Sequence, residues 1–107
     1  MTPVDRTLAA LADPRRRELV DVLRGGARRP GDLATALSLS RPATSRHLKV
    51  LREAGLVDED IGERDGRERI VRLRPAALAP LRAWLEDVAA MWSDQLDAFV
   101  AHAERDR

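Results

Sequence analysis

Residues 40–57 read SRPATSRHLKVLREAGLV, and the order of residue types within them predicts a helix with two different faces. Ser40 is a good N-cap, because its hydroxyl can accept from an amide left unpaired in the first turn, and Gly55 stands where a left-handed C-terminal stop is wanted. Between them, from Arg41 to about Ala54, Thr44, Leu48 and Leu51 recur at helical spacing and should face inward. The opposite face then carries Arg41, Pro42, Ser45, Arg46, Lys49 and Arg52. A helix with one apolar face and one cationic face needs support behind it and open space in front.

The support comes from just upstream, where Pro30 opens a short helix with Leu33, Ala34 and Leu37 inward, and Ser38, Leu39 and Ser40 break it. Two short helices separated by three residues form the helix-turn-helix arrangement that sets the second helix into the major groove of DNA. In that geometry the first helix braces against the backbone while the N-terminal half of the second presents side chains to base edges. Arg41, Ser45 and Arg46 occupy the reading positions; an arginine that donates to both O6 and N7 of guanine contributes about 1–3 kcal/mol of discrimination. Lys49 and Arg52, farther along, are placed for phosphates. His47, beside Leu48, either packs at the edge of the motif or touches a phosphate.

Toward the N-terminus, Pro3 with Val4, Leu8 and Leu11 predicts a first helix. Asp13 caps a second, with Pro14 just inside it, Leu19, Val20 and Leu23 as its apolar stripe, and Gly25 and Gly26 as its stop. Arg15, Arg16, Arg28 and Arg29 flank the motif and offer further phosphate contacts. Downstream, Leu56–Gly62 and Glu68–Leu73 are expected as two strands joined by a polar turn containing Asp65 and Gly66, a hairpin that makes the motif winged. Arg64, Arg67 and Arg69 would lay this wing over the adjoining backbone or minor groove, adding grip more than specificity. Glu63, Asp65 and Glu68 beside them offer cross-strand pairing instead.

Pro75 ends the second strand, and from Ala76 to about Glu104 the chain predicts one long amphipathic helix. Leu78, Leu85, Trp92 and Phe99 recur every seven residues with Leu81 and Val88 between them, which is the pattern of a packing seam. Such a helix outruns the core that a chain this small can build, so its distal half needs a partner, and a second copy of itself is the expected one. Residues 1–107 are therefore expected to form one domain, mainly α with a small β-hairpin: a winged helix-turn-helix of five helices and a two-stranded wing.

Composition narrows the function further. The chain has 107 residues, 44% hydrophobic and 35% charged, and no cysteine, which excludes disulfides, thiolate metal sites and cysteine-based redox sensing. The net charge of +1 hides a division: residues 14–52 carry +7, residues 53–107 carry −5 and residues 1–13 carry −1. The basic stretch, residues 14–52, is therefore expected to face a polyanion. No apolar run approaches a membrane span, and the N-terminus lacks the pattern of a signal peptide, so a cytoplasmic, nucleoid-associated location is expected. No phosphate-binding glycine loop and no nucleophile paired with a base is present, so an enzyme is not expected and no cofactor is called for.

In the order and spacing of four stretches the chain resembles the ArsR family of bacterial repressors. These are LADPRRRELVDVL (11–23), the 40–57 stretch, ERDGRERIVRLRP (63–75) and ALAPLRAWLEDVAAMWSDQLDAF (77–99). The resemblance implies a homodimer built through the first and last helices, with Leu8, Leu85, Val88, Trp92, Leu96 and Phe99 in the interface, that represses its own operon from an inverted-repeat double-stranded DNA operator. With no cysteine, and with only His47 and His102 as histidines, the chain looks most like members that have lost metal sensing, and no metal ligands are assigned. It departs from the family in placing Asp58, Glu59 and Asp60 on the first wing strand, where many relatives have basic residues. The wing can approach phosphates only if these carboxylates point away or pair with Arg69, Arg72 or Arg74. Two alternatives stay open at this level: a winged-helix protein-interaction module that touches no DNA, and a DNA binder whose small organic inducer, of unassigned identity, sits between helices bearing Trp84 and Trp92.

Overall fold

The computed structural model describes residues 1–61 and 69–105. The elements follow the order α1 (Pro3–Leu11), α2 (Pro14–Leu23), α3 (Pro30–Leu37), α4 (Arg41–Glu53), β1 (Val57–Ile61), β2 (Arg69–Leu73), a 3₁₀ turn (Pro75–Leu78) and α5 (Ala79–Arg105). Among the described residues the five helices and two strands expected from the sequence are all present. Arg64 and Arg67, with the turn between the strands, lie outside the described residues.

The caps explain the boundaries. Asp13 accepts from the amides of Arg15 and Arg16 at the start of α2, and Ser40 Oγ accepts from the Ala43 amide at 3.2 Å at the start of α4. At the end of α4 the Leu56 amide reaches back to the Leu51 carbonyl at 2.9 Å, with Gly55 between them at φ 77°. That is a Schellman stop, and glycine adopts its left-handed residue without a Cβ clash. The turn between α3 and α4 is made in a similar way, the Leu39 amide donating to the Ala34 carbonyl at 2.9 Å, but here Ser38 takes the left-handed conformation at φ 53°. The N-terminal box, in which Thr2 and Asp5 exchange side chain-to-backbone bonds of 2.9 and 3.1 Å, went unread in the sequence.

The core consists of Ala10, Leu19, Leu23, Leu33, Leu48, Leu51, Leu56, Val57 and Val71. It joins α1–α4 to the base of the hairpin, so α4 and the wing share one hydrophobic cluster. The strands pair antiparallel with Val57 opposite Leu73 and Glu59 opposite Val71. Arg28, between α2 and α3, adds a single bridge to Val71 through two backbone bonds of 2.9 and 2.7 Å, covering the outer edge of β2 at that residue.

On α1 the residues that bury are Thr7 and Ala10, while Val4 and Leu11 are half-buried and Leu8 is exposed; small side chains let α1 lie close against the core and leave Leu8 outside. One expectation needs correcting: the last helix starts at Ala79, not Ala76. Pro80 has no amide to give the Ala76 carbonyl, so that carbonyl takes the Ala79 amide in a 3₁₀ turn instead. No residue of α5 is buried, and at 27 residues, about 40 Å of helix, it accounts for the 71 Å long axis of a body otherwise 26 by 25 Å.

Candidate nucleic-acid interface

Thr44, Leu48 and Leu51 are buried as expected and fix the rotation of α4 about its axis. Thr44 also donates its hydroxyl to the Ser40 carbonyl at 2.9 Å, which satisfies a polar group that burial would otherwise penalise. The opposite face presents Arg41, Pro42, Ser45, Arg46, Lys49 and Arg52, all exposed. Arg41, Arg46 and Lys49 form no ion pair with any described residue. Three cations therefore stand exposed on α4 with no described carboxylate within ion-pair distance.

The arginines of α2 are used differently. Arg15, expected to be available for phosphate, donates to the Leu37 carbonyl at 2.6 Å and pairs with Glu18 at 2.7 Å. Arg16 donates to the Ala10 carbonyl at 2.6 Å and the Ala9 carbonyl at 3.4 Å, and Arg17 to the Leu11 carbonyl at 2.6 Å. Three consecutive guanidiniums thus fill the orphan carbonyls at the C-terminal ends of α3 and α1, neither of which has a basic residue of its own in its last turn. Arg28 likewise turns back onto the carbonyls of Gly26 and Ala27. These positions bind the motif together.

His47 is half-buried, with Nδ1 3.4 Å from an Arg16 guanidinium nitrogen. Asp13, which also pairs with Arg16 at 3.7 Å, has its pKa lowered chiefly by the Arg15 amide that it accepts from. Of the two roles open to His47, packing at the edge of the motif has the observed partner.

The wing resolves its acidic strand by pairing. Side chains alternate across the hairpin, so Asp58, Asp60, Arg72 and Arg74 share one face, while Val57, Glu59, Arg69 and Val71 share the face toward the core. On the outer face Asp60 meets Arg72 at 2.8 Å and Asp58 meets Arg74 at 3.4 Å, each along a diagonal of the ladder. On the inner face the Glu59 carboxylate lies 3.1 Å from Arg52 of α4 and 3.9 Å from Arg69 of β2, its side chain only 16% exposed. Arg52 and Arg69, both expected to reach DNA, are therefore engaged by one carboxylate. Pairing with Arg69, Arg72 or Arg74 was one of the two arrangements the sequence left open; the pair with Arg52 was not among them, because nothing in the residue order brings the inner row of β1 against the last turn of α4.

Along α5, Leu81 and Val88 are half-buried, whereas Leu85, Trp92, Leu96 and Phe99 are exposed, Phe99 to 70%. With Leu8 of α1 they leave much of the expected seam uncovered in a single chain. A cleft of about 630 Å³ opens between α2, the base of the wing and the 3₁₀ turn, lined by Leu11, Val20, Leu23, Leu56, Leu73 and Leu78 with Arg24, Arg72 and Arg74 among its other walls. Neither Trp84 nor Trp92 lines it. Among the described residues no group of three histidine, aspartate or glutamate side chains is arranged to hold a metal ion, and no helix is long and apolar enough to cross a membrane.

Comparison with known proteins agrees with this architecture. Residues 13–59 match the model of the bacterial regulatory proteins of the arsR family. The chain is 43% identical over 96 residues to the HTH-type transcriptional regulator Rv2034 of Mycobacterium tuberculosis, covering 89% of this chain and 83% of that one. It is 34% identical over 56 residues to the transcriptional repressor SdpR of Bacillus subtilis, covering 52% and 62%. Among solved structures, it superposes with a TM-score of 0.64 and 32% identity, covering 82% and 79%, on the homodimeric winged helix-turn-helix DNA-binding domain Mb0332 of Mycobacterium bovis. The chain belongs to the arsR family of bacterial regulatory proteins.

Proposed function

We propose that the protein is a DNA-binding transcriptional repressor that acts as a homodimer on an inverted-repeat operator, in the cytoplasm and on the nucleoid, with residues 1–107 working as one winged helix-turn-helix unit. The observation that carries this reading is the face of α4. Arg41, Arg46 and Lys49 stand exposed and without a described carboxylate partner on a helix whose rotation is fixed by three buried side chains. Arg41, Ser45 and Arg46, in the N-terminal half, meet base edges, and Lys49 meets phosphate. Leu8, Leu85, Val88, Trp92, Leu96 and Phe99 pack against a second copy. The dimer then presents two reading helices to successive major grooves about 34–36 Å apart, and occupation of the operator excludes polymerase. Support comes from relatives that are named as regulators and repressors and from a neighbour that is a homodimer.

Titrating the protein against the duplex immediately upstream of its own coding region tests this directly. Arg46→Ala should weaken that duplex relative to a scrambled one by about 1–3 kcal/mol. Lys49→Ala should weaken both alike and flatten the slope of log affinity against log salt by about 0.9. A protein-docking module would bind neither duplex, and an unaltered preference in Arg46→Ala would remove Arg46 from the reading face.

A further inference from the structure

The charge pattern of the wing is more ordered than a solvated surface needs. Each carboxylate of β1 is matched to an arginine: Asp58 to Arg74, Asp60 to Arg72, and Glu59 to both Arg52 and Arg69. Glu59 differs from its neighbours in position. It sits in the inner row with the buried Val57, largely shielded from water, and bridges two elements that the proposed complex would bring to DNA together. Arg52 continues the face of α4 beyond Lys49, so without Glu59 the reading helix would present a further unpaired cation in its last turn.

We propose that Glu59 is a specificity-determining residue: by holding Arg52 and Arg69 it keeps two cations off the phosphate backbone and lowers affinity for bulk DNA more than affinity for the operator. This rests on the DNA-binding reading above. Binding to non-operator DNA is made almost entirely of phosphate contacts, each adding its increment of counterion release. A protein on such DNA is free to tilt and slide until any unpaired arginine meets a phosphate. On the operator the base contacts of α4 fix the pose, and a guanidinium contributes only if a phosphate lies within its reach in that one pose. An unpaired arginine at the rim therefore strengthens the wrong complexes more than the right one. The same carboxylate ties the wing to the last turn of α4, so the two elements approach the duplex as one surface.

Glu59→Gln tests the charge, since the side chain keeps its size and a hydrogen-bond acceptor for Arg52. Fluorescence anisotropy with the duplex upstream of the coding region, and with a scrambled duplex of the same composition, is measured from about 50 to 200 mM salt, a range over which phosphate contacts dominate the change. The variant should bind the scrambled duplex several-fold more tightly at low salt. Its slope should steepen by about 0.9 for each arginine released, which over this fourfold range is a further loss of about 3.5-fold for one and about 12-fold for two. The ratio of upstream to scrambled affinity should fall. Arg52→Gln in the wild-type background should leave the scrambled-duplex slope nearly unchanged, and in the Glu59→Gln background it should cancel part of the gain. An unchanged slope in a folded Glu59→Gln protein overturns the proposal. So does a slope flattened by about 0.9 in Arg52→Gln alone, and this second measurement decides the matter if the first variant does not fold. If the wild-type protein binds neither duplex, the DNA-binding reading fails and this proposal with it; preferential wild-type binding with no effect at Glu59 overturns this proposal only.

Discussion

Replacing Trp92 with alanine should raise the dissociation constant of the proposed dimer by about two to three orders of magnitude. The side chain is 61% exposed in the single chain, and a tryptophan can bury up to about 250 Å², so about 150 Å² is available to a partner. At about 25 cal/mol per Å² complete burial would contribute about 3.8 kcal/mol per protomer. Interfaces realise only part of that, and alanine keeps a little of it; recovery of one third to one half gives about 1.3–1.9 kcal/mol per protomer. In a two-fold dimer the substitution occurs twice, so the loss is about 2.6–3.8 kcal/mol, or roughly 100- to 600-fold. Alanine is the strongest helix former, so α5 itself should survive and the change should report contact rather than unfolding. Sedimentation equilibrium across protein concentration measures the constant directly. Asp94→Ala is the matched control, because Asp94 is exposed and lies about 200° around the helix from Trp92. A Trp92→Ala dimer within about threefold of wild type would show that the distal half of α5 is not the seam, as a wild-type protein monomeric at micromolar concentration would.

Two further outcomes concern the frame that holds the reading helix. Gly55→Ala should destabilise the protein by about 1–2 kcal/mol in urea unfolding, the cost of a left-handed L-residue; a Cβ built there meets nothing within 4 Å, so the loss comes from the local backbone conformation and not from a clash with packed neighbours. Asp13 is held below its ordinary pKa of 3.8 by the amides it caps. A carboxylate with a depressed folded-state pKa contributes stability that is present above its unfolded value and lost as pH falls through the folded one. The thermal midpoint of wild type should therefore exceed that of Asp13→Asn at pH 6–7, and the gap should begin to narrow near pH 4, where the unfolded chain takes up its proton, and close only once pH has fallen through the lower folded-state value and the carboxyl is protonated in both states. A gap that persists at pH 2 would place the effect in packing instead of charge.

How much of this was legible in the sequence depended on the range of each interaction. The helix ends were, because Ser40, Asp13 and Gly55 act on backbone groups within a few residues of themselves. The inward set of α4 was, because Thr44, Leu48 and Leu51 keep the helical period. The destinations of the arginines were not. Arg15 caps a carbonyl 22 residues away, and Arg16 meets His47 across 31; a guanidinium on a flexible stem has the same local signature whether it ends on a phosphate, a carboxylate or a carbonyl. The start of α5 was misplaced for a local reason that the apolar pattern outweighed, since the leucines continue through Leu78 while Pro80 withholds the amide that an α-turn would need.

Arg16 also shows how the two halves of the molecule are joined. The core lies wholly within α1–α4 and the wing base, and α5 touches that body chiefly through α1 and the 3₁₀ turn. The position of a reading helix relative to the proposed seam is therefore set through α1. The Arg16 guanidinium spans that joint, donating to the last carbonyls of α1 while lying against His47 on α4 and Asp13 at the head of α2. One planar group with several fixed donors constrains three elements at once, where a lysine would offer a single point charge. A two-fold dimer doubles any angular error at this joint, and two reading helices meet successive grooves only if their separation stays close to one helical repeat. On this geometry an arginine expected to grip DNA directly would serve the proposed interface from behind, by holding α1 and α4 at one angle.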